Sequence, residues 1–313
     1  MFILLLILAI VVAWLNPTLG MPNSWFSPAE LAGWGVFGVF FFYGLKLTPA
    51  KLRAGLGNIK LHIVVQLATF LLFPLLILGA IFVTGDWKSN YYLWLGIYFV
   101  ATLPSTVSSS VVMVSIAKGN VPAAIFNASI SSLIGIFLTP MLMSFVMSAG
   151  NDLHSFGHIV IKLLIQVVLP VGAGMLLNRF GGAFADRNKK ILRIFDQGVI
   201  LAIIYTAFCQ GFSDKIFDTV SIGELAILLV AMTALFFAAY YTILFICKIM
   251  KFSREDTITA TYCGSKKSLV HATVMSRVLF ADPATVSIII LPTMVYHALQ
   301  LMIVSVMAGR EGK

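Results

Sequence analysis

Residues 262–271 read Tyr262-Cys263-Gly264-Ser265-Lys266-Lys267-Ser268-Leu269-Val270-His271, inside an otherwise apolar run from Asp256 to Arg277. The uncharged pieces on either side, 257–265 and 268–276, hold nine residues each. As helix each covers ~14 Å at ~1.5 Å per residue, about half of the ~30 Å hydrocarbon core of a bilayer. If the run crosses a membrane, two adjacent lysines land near its midplane. An ionised lysine there costs at least ~2.5–3.5 kcal/mol on insertion scales, and such a residue is a functional-site candidate by default. The competing reading, a loop with solvated lysines, removes a span and breaks an alternation of charge that runs along the whole chain.

The rest of the chain supports a membrane reading. Its 313 residues have a mean hydropathy of +0.99, with 60% hydrophobic and 11% charged residues. A soluble domain carries about 25% charged residues, and disorder requires low hydrophobicity, so both classes are excluded. Solid apolar runs, rather than the alternation of a membrane barrel, predict helices. Ten spans are expected, at 2–19, 28–47, 60–84, 90–117, 121–148, 158–178, 192–213, 222–248, 256–278 and 283–309. No basic residue precedes the first apolar run and no small-residue cleavage site follows it, so it reads as a span rather than a signal peptide. The second opens on Ser27-Pro28-Ala29-Glu30, a capping box with proline at the first helical position. Cys209, Cys247 and Cys263 have no metal or disulfide spacing and read as packing residues.

Net charge is +9 and the pI is about 9.5. Lys46, Lys51, Arg53, Lys60, Lys118, Arg179, Arg187, Lys189, Lys190, Arg193, Lys248, Lys251, Arg254, Arg310 and Lys313 all fall in even connections or the C-terminal tail, whereas the odd connections carry only Lys88, Lys162, Lys215 and Arg277. A split of 15 to 4 is the positive-inside pattern. It places both termini in the cytoplasm and explains the basic pI without a nucleic-acid partner.

Span four is interrupted like span nine. Pro104 lacks an amide hydrogen and disfavours helix at Leu103. Around it runs Thr102-Leu103-Pro104-Ser105-Thr106-Val107-Ser108-Ser109-Ser110, six of whose nine residues are hydroxylic. One or two hydroxyls would serve a proline kink; six point to a polar lining. Ser105-Thr106-Val107-Ser108 can be laid over Ser265-Lys266-Lys267-Ser268, and Asn120-Val121-Pro122-Ala123 over Ala281-Asp282-Pro283-Ala284. With five spans in each half, this is the pattern of an inverted repeat with paired discontinuous helices and a binding site at the midplane.

These motifs resemble the bile acid:sodium symporter family, most closely its bacterial SBF-like branch. The carrying strings are Leu103-Pro104-Ser105-Thr106-Val107-Ser108-Ser109-Ser110, then Ala117-Lys118-Gly119-Asn120-Val121-Pro122-Ala123-Ala124-Ile125-Phe126-Asn127-Ala128 and Gly135-Ile136-Phe137-Leu138-Thr139-Pro140. Cys263-Gly264-Ser265-Lys266-Lys267-Ser268-Leu269 and Tyr296-His297-Ala298-Leu299-Gln300-Leu301 follow. The resemblance implies an all-α membrane protein of ten transmembrane helices, built as two inverted five-helix repeats at 1–148 and 158–309. A panel (1–47 and 158–213) would stand beside a core (60–148 and 222–309), with helices four and nine crossing at their breaks. It also implies the bacterial inner membrane.

In sodium-coupled members of that family, hydroxyls at the fourth-helix break, fifth-helix polar groups, a third-helix glutamine and a ninth-helix glutamate serve sodium. Carried over, the fourth-helix positions fall near Ser108, Ser109 and Ser110 and the glutamine on Gln66, whereas the fifth-helix positions fall on Ala124 and Ala128, which cannot ligate; the adjacent Asn127 and Ser131, four residues apart on one helical face, could substitute. The glutamate's place is taken by Thr261 or Tyr262, and two lysines follow. Possible sodium ligands are therefore Ser108, Ser109, Asn127 and Ser131. The wider binding set adds Ser105, Thr106, Ser110, Gln66, Ser265, Lys266, Lys267, Ser268, His271 and His297. Adjacent residues on a helix point about 100° apart, so the lysines are assigned different tasks. Lys267 is expected to stand in for sodium by reaching the serine-rich break, and Lys266 to meet the substrate or a coupling proton. His271 is placed one turn after Lys267 on the same face, and His297 three residues before Gln300.

The functional expectation is secondary transport of an organic anion, bile-acid- or sterol-like, by movement of core against panel, coupled to sodium or protons. The substrate is a small molecule, no cofactor is expected beyond a sodium ion, and no Walker lysine motif points to ATP. A non-transporting membrane sensor and a Ser–Lys hydrolase are the competing readings.

Overall fold

The computed structural model describes residues 2–20, 28–46, 57–84, 91–147, 165, 168–215, 217, 221–280 and 282–312. All regular structure among them is helical. Helix α1 (Phe2–Leu15) gives way to a 3-10 turn at Pro17–Gly20, shorter than the expected 2–19 because Pro17 cannot continue the amide ladder. Helix α2 (Pro28–Lys46) begins on its proline; Ser27 and the Glu30 side chain lie outside the described residues. Helix α3 (Ile59–Leu67) passes through one π-helical turn (Ala68–Leu72) into α4 (Phe73–Thr84). Then come α5 (Tyr91–Thr102), α6 (Ser108–Ile116) and α7 (Val121–Met147). After these follow α8 (Leu169–Arg187), α9 (Lys189–Ser213) and α10 (Ile222–Ile249). Last are α11 (Arg254–Gly264), α12 (Leu269–Leu279) and α13 (Pro283–Glu311).

Five helical stretches are long and apolar enough to cross a membrane: Ile59–Val83, Val121–Met147, Lys189–Ser213, Ile222–Ile249 and Pro283–Glu311. Shorter apolar helices occur at Leu4–Leu15, Trp34–Lys46 and Tyr91–Thr102. Trp34, Phe82, Ile222 and Val230 are exposed, as side chains facing lipid would be. One boundary needs correction. Span six was expected at 158–178 with a basic loop after it, yet α8 runs on to Arg187 and only Asn188 separates it from α9. No proline interrupts 179–190, and Gly181-Gly182 lowers helix stability without ending it. Residues 158–164 of that span lie outside the described set.

The chain falls into two compact units. The first comprises Met1–Thr48, Ser144–Ser221 and Ala272–Ile290. Within it α2 lies close against α8, since a Cβ on Gly44 would meet the Val171 carbonyl and one on Gly174 the Phe41 carbonyl. The glycines of α2 thus serve helix packing. Asn178 Nδ2 donates to Leu45 O at 2.6 Å, and Lys46 Nζ lies 3.3 Å from Asp196 Oδ2.

The second unit comprises Pro49–Met143, Ile222–His271 and Leu291–Lys313. Three helix starts are tied together in it. Asn58 Oδ1 accepts from Leu61 N at 3.2 Å and Asn120 Oδ1 from Ala123 N at 3.1 Å, capping α3 and α7. The amides of the same two residues donate to Asp256, in the first turn of α11, at 2.7 and 2.9 Å.

Candidate functional site

The site grows out of four carbonyls that cannot complete a helix. Pro104 has no amide, so α5 stops at Thr102 and Leu103 N turns back to Val100 O at 3.3 Å. Ser105 N, which a continuous helix would give to Ala101 O, donates instead to Ser131 Oγ at 3.0 Å. Buried carbonyls must find other donors, and all four do. Thr139 Oγ1 donates to Thr102 O at 2.7 Å, and Ser268 N to Pro104 O at 2.9 Å. Lys267 Nζ donates to Ala101 O at 2.7 Å and to Leu103 O at 2.9 Å.

A third acceptor for that ammonium comes from α3–α4. In the π-helical turn Phe73 N donates to Ala68 O, so Thr69 O loses its ordinary helical donor. The next residue, Pro74, has no amide to offer. Thr69 O is left open and takes Lys267 Nζ at 2.7 Å, while Nζ also sits 4.1 Å from the centre of the Phe73 ring. Three charge-assisted hydrogen bonds contribute about 1.5–3 kcal/mol each and the aromatic face about 2 kcal/mol when desolvated. Together these match the several kcal/mol that burying the ammonium costs. Three backbone oxygens around one compact positive charge also describe a hard-cation site, here filled by the chain's own side chain.

The second break, between α11 and α12, is held as firmly. Ser105 Oγ donates to Cys263 O at 2.6 Å, and Tyr296 OH to Ser265 O at 2.7 Å. Gln300 grips Lys267 on both sides: its Oε1 accepts from Lys267 N and its Nε2 donates to Lys267 O, each at 2.7 Å. His297 Nδ1 lies 2.8 Å from Gln300 Nε2 and 3.4 Å from Lys267 O. Opposite the Pro104 ring is Gly135, where an added Cβ would come within 2.8 Å of the proline Cβ and Cγ.

Lys266 contrasts with its neighbour. It is fully buried, yet its Nζ has no hydrogen-bond partner among the described residues.

The other predicted residues divide into small groups. Thr106 Oγ1 and Ser110 Oγ are 2.9 Å apart, and Ser109 Oγ donates to Thr106 Oγ1 at 2.8 Å. Ser108 opens α6, and its side chain lies outside the described residues. Gln66 Nε2 reaches Asn127 O and Oδ1 at 3.2 and 3.3 Å, while Asn127 Nδ2 donates to Ala123 O. Ser131 Oγ serves Ser105 N, and Ser265 Oγ donates to Thr261 O at 2.6 Å. Of the oxygens considered for sodium, Ser109 Oγ, Asn127 Oδ1 and Ser131 Oγ each take part in a different hydrogen bond. Lys267 reaches the first break through carbonyls, not serine hydroxyls. His271 is not a helical neighbour of Lys267, because α12 starts only at Leu269; its Nδ1 lies 3.0 Å from Ser268 Oγ. The residues missed in the sequence were Thr69, Phe73 and Tyr296, and Pro74 was the available signal for the first two.

Discontinuous helices meeting around a buried charge are the arrangement of membrane transporters. The comparisons with known proteins agree. The profile of the SBF-like CPA transporter family matches residues 1–312. An uncharacterised protein of Pseudomonas aeruginosa is 39% identical over 100% of this chain and 92% of its own. The Escherichia coli protein YfeH, named as a candidate symporter, is 37% identical over 87% of this chain and 81% of its own. Sodium/bile acid cotransporter 7-B of Xenopus laevis is 32% identical over 98% and 90%. The chain belongs to the SBF-like transporter family and is an integral membrane protein, not an enzyme.

Proposed function

We propose that this protein is a secondary transporter of a small amphipathic organic anion, in which the Lys267 ammonium holds the place of a bound sodium ion. The observation that carries the reading is the trio of backbone carbonyls, Thr69, Ala101 and Leu103, closing on Lys267 Nζ. Lys266, buried beside it without a partner, is the positive charge left for the substrate's anionic group. The seryl, histidyl and amide groups around the two breaks complete the binding region, and the core (60–148 and 222–309) moves against the panel (1–47 and 158–213) during transport. The relatives' names supply the substrate class, a bile acid in the vertebrate case. We read the chain as ten spans in two inverted repeats, with both termini cytoplasmic in the bacterial inner membrane. Cysteine labelling at Lys51 and Lys189 should report one side, and at Asp152 and Lys215 the other.

The functional test is cholate uptake into proteoliposomes with sodium or choline as the sole external cation. Uptake that is indifferent to sodium is expected. An absolute need for sodium would show that Lys267 replaces no ion.

A further inference from the structure

The corner where α8 meets α9 carries exposed aromatic rings and unpaired cations side by side. Asn188 is the single residue between the two helices, with φ −104° and ψ 25°. Inside the corner sits the end of α2, where Leu45, Ala185 and Leu192 form a buried cluster with Phe41 and Phe42 packed against it. The approach is close, since a Cβ on Gly181 would come within 2.9 Å of Leu45 Cδ1. One face of each helix is therefore committed to α2.

The outer face is composed differently. On α8, Phe180, Phe184 and Arg187 follow at spacings of four and three residues and share a stripe, on the side away from the buried Ala185. On α9, Ile194 follows Lys190 by four residues and Ile191 by three, on the side away from the buried Leu192. Phe180 is 70% exposed, Phe184 55%, Ile191 63% and Ile194 59%. Arg187, Lys190 and Arg193 are exposed as well. The carboxylates of this region are taken, Asp186 lying 3.2 Å from Lys189 and Asp196 3.3 Å from Lys46. Arg187, Lys190 and Arg193 have no ion pair among the described residues.

Apolar side chains alone would suit hydrocarbon, and cations alone would suit water. Interleaved on one face, they match the boundary between the two, where acyl chains end and phosphates begin. The phosphodiester of an anionic lipid supplies the counter-charge that the protein withholds, and its acyl chains cover the rings. A second copy of this chain does not fit, because a two-fold contact sets the same patch against itself and opposes like charges.

We propose that the outer face of the α8–α9 corner is a binding site for an anionic phospholipid, with Arg187, Lys190 and Arg193 on the headgroup phosphate and Phe180, Phe184 and Ile194 against the acyl chains. Because the opposite faces of the same helices hold α2, a lipid seated there braces the corner on the end of that helix and stabilises the first compact unit. The inference needs only membrane insertion and stands apart from the organic-anion reading.

The experiment is thermal unfolding of the full-length protein, delipidated in an uncharged detergent, with added phosphatidylglycerol, phosphatidylcholine or inorganic phosphate. A ligand of the folded state raises Tm by mass action. Phosphatidylglycerol should raise it by several degrees, and the other two should not. In Arg187→Gln/Lys190→Gln/Arg193→Gln the rise should be lost. Lys118→Gln/Lys248→Gln/Lys251→Gln, an equal loss of exposed charge elsewhere, should keep it. Each single corner substitution should remove part of the rise, which serves if the triple variant does not fold. No rise with phosphatidylglycerol, an equal rise with phosphatidylcholine or phosphate, or equal rises in the two triple variants overturns the proposal. Dimerisation that is lost with the corner cations would assign the face to a second copy and overturn it too.

Discussion

The two helix breaks are built from opposite materials. The first, after Thr102, is a proline break: it has hydroxyls, no charge, and a surplus of carbonyls. The second, after Gly264, has no proline, and it carries the amide and ammonium donors that the first lacks. Ser268 N and Lys267 Nζ go to Pro104, Ala101 and Leu103, while Ser105 Oγ returns one bond to Cys263 O. Two interruptions that would each be costly alone satisfy one another. The two lysines differ in the same spirit. Lys267 has a full set of acceptors and Lys266 has none among the described residues.

The largest effect should come from Lys267→Met. It strands three buried carbonyls, each worth about 1–3 kcal/mol, so Tm should fall sharply in the purified protein. Sodium chloride, but not choline chloride, should restore part of it, since sodium fits a cage of oxygens. An unchanged Tm would break the contrast between the breaks. Gln300→Leu removes both bonds to the Lys267 backbone and should cost about 2–4 kcal/mol in thermal or denaturant unfolding, two buried polar groups being left unpaired. Lys266→Met should act in the other direction. Burying an amine without a partner opposes folding, so this variant should be about 1–3 kcal/mol more stable while losing cholate binding. Equal destabilisation by both lysine substitutions would refute the division of labour.

Gly135→Val tests the packing behind the first break. Its new side chain meets the Pro104 ring and should cost about 1–3 kcal/mol by overpacking. Ser109→Ala should be mildest. It removes one bond to Thr106 and leaves the Thr106–Ser110 pair in place, so stability should change by no more than about 1 kcal/mol. Uptake by this variant then reports the role of the hydroxyl itself.

The sequence already showed the helical class, the proline break and the two lysines inside an apolar run, because proline chemistry and the cost of buried charge are local and strong. The partners of those lysines were not legible. Which carbonyls reach Lys267 depends on where three separate segments meet, and a backbone acceptor has no residue-type signature. Thr69 could have been suspected from Pro74, since a proline inside an apolar span frees carbonyls one turn earlier. His271 was misplaced because helical spacing was carried across residues 265–268, which are not helical. Continuation of α8 to Arg187 was missed because a cluster of basic residues was read as loop, whereas such residues can also end a helix that emerges from the membrane. Ser108 and Ser109 read as one hydroxyl lining, yet only local bond geometry shows that Ser109 belongs with Thr106.

The cage around Lys267 also bears on how the protein is made. Its three acceptors sit at positions 69, 101 and 103, more than 160 residues ahead of the lysine (267 − 103 = 164). During vectorial synthesis they have left the ribosome before Lys267 is added to the chain. The segment least able to enter lipid unaided therefore arrives after its partners, and its insertion is a docking onto earlier helices rather than a solitary partition into the bilayer.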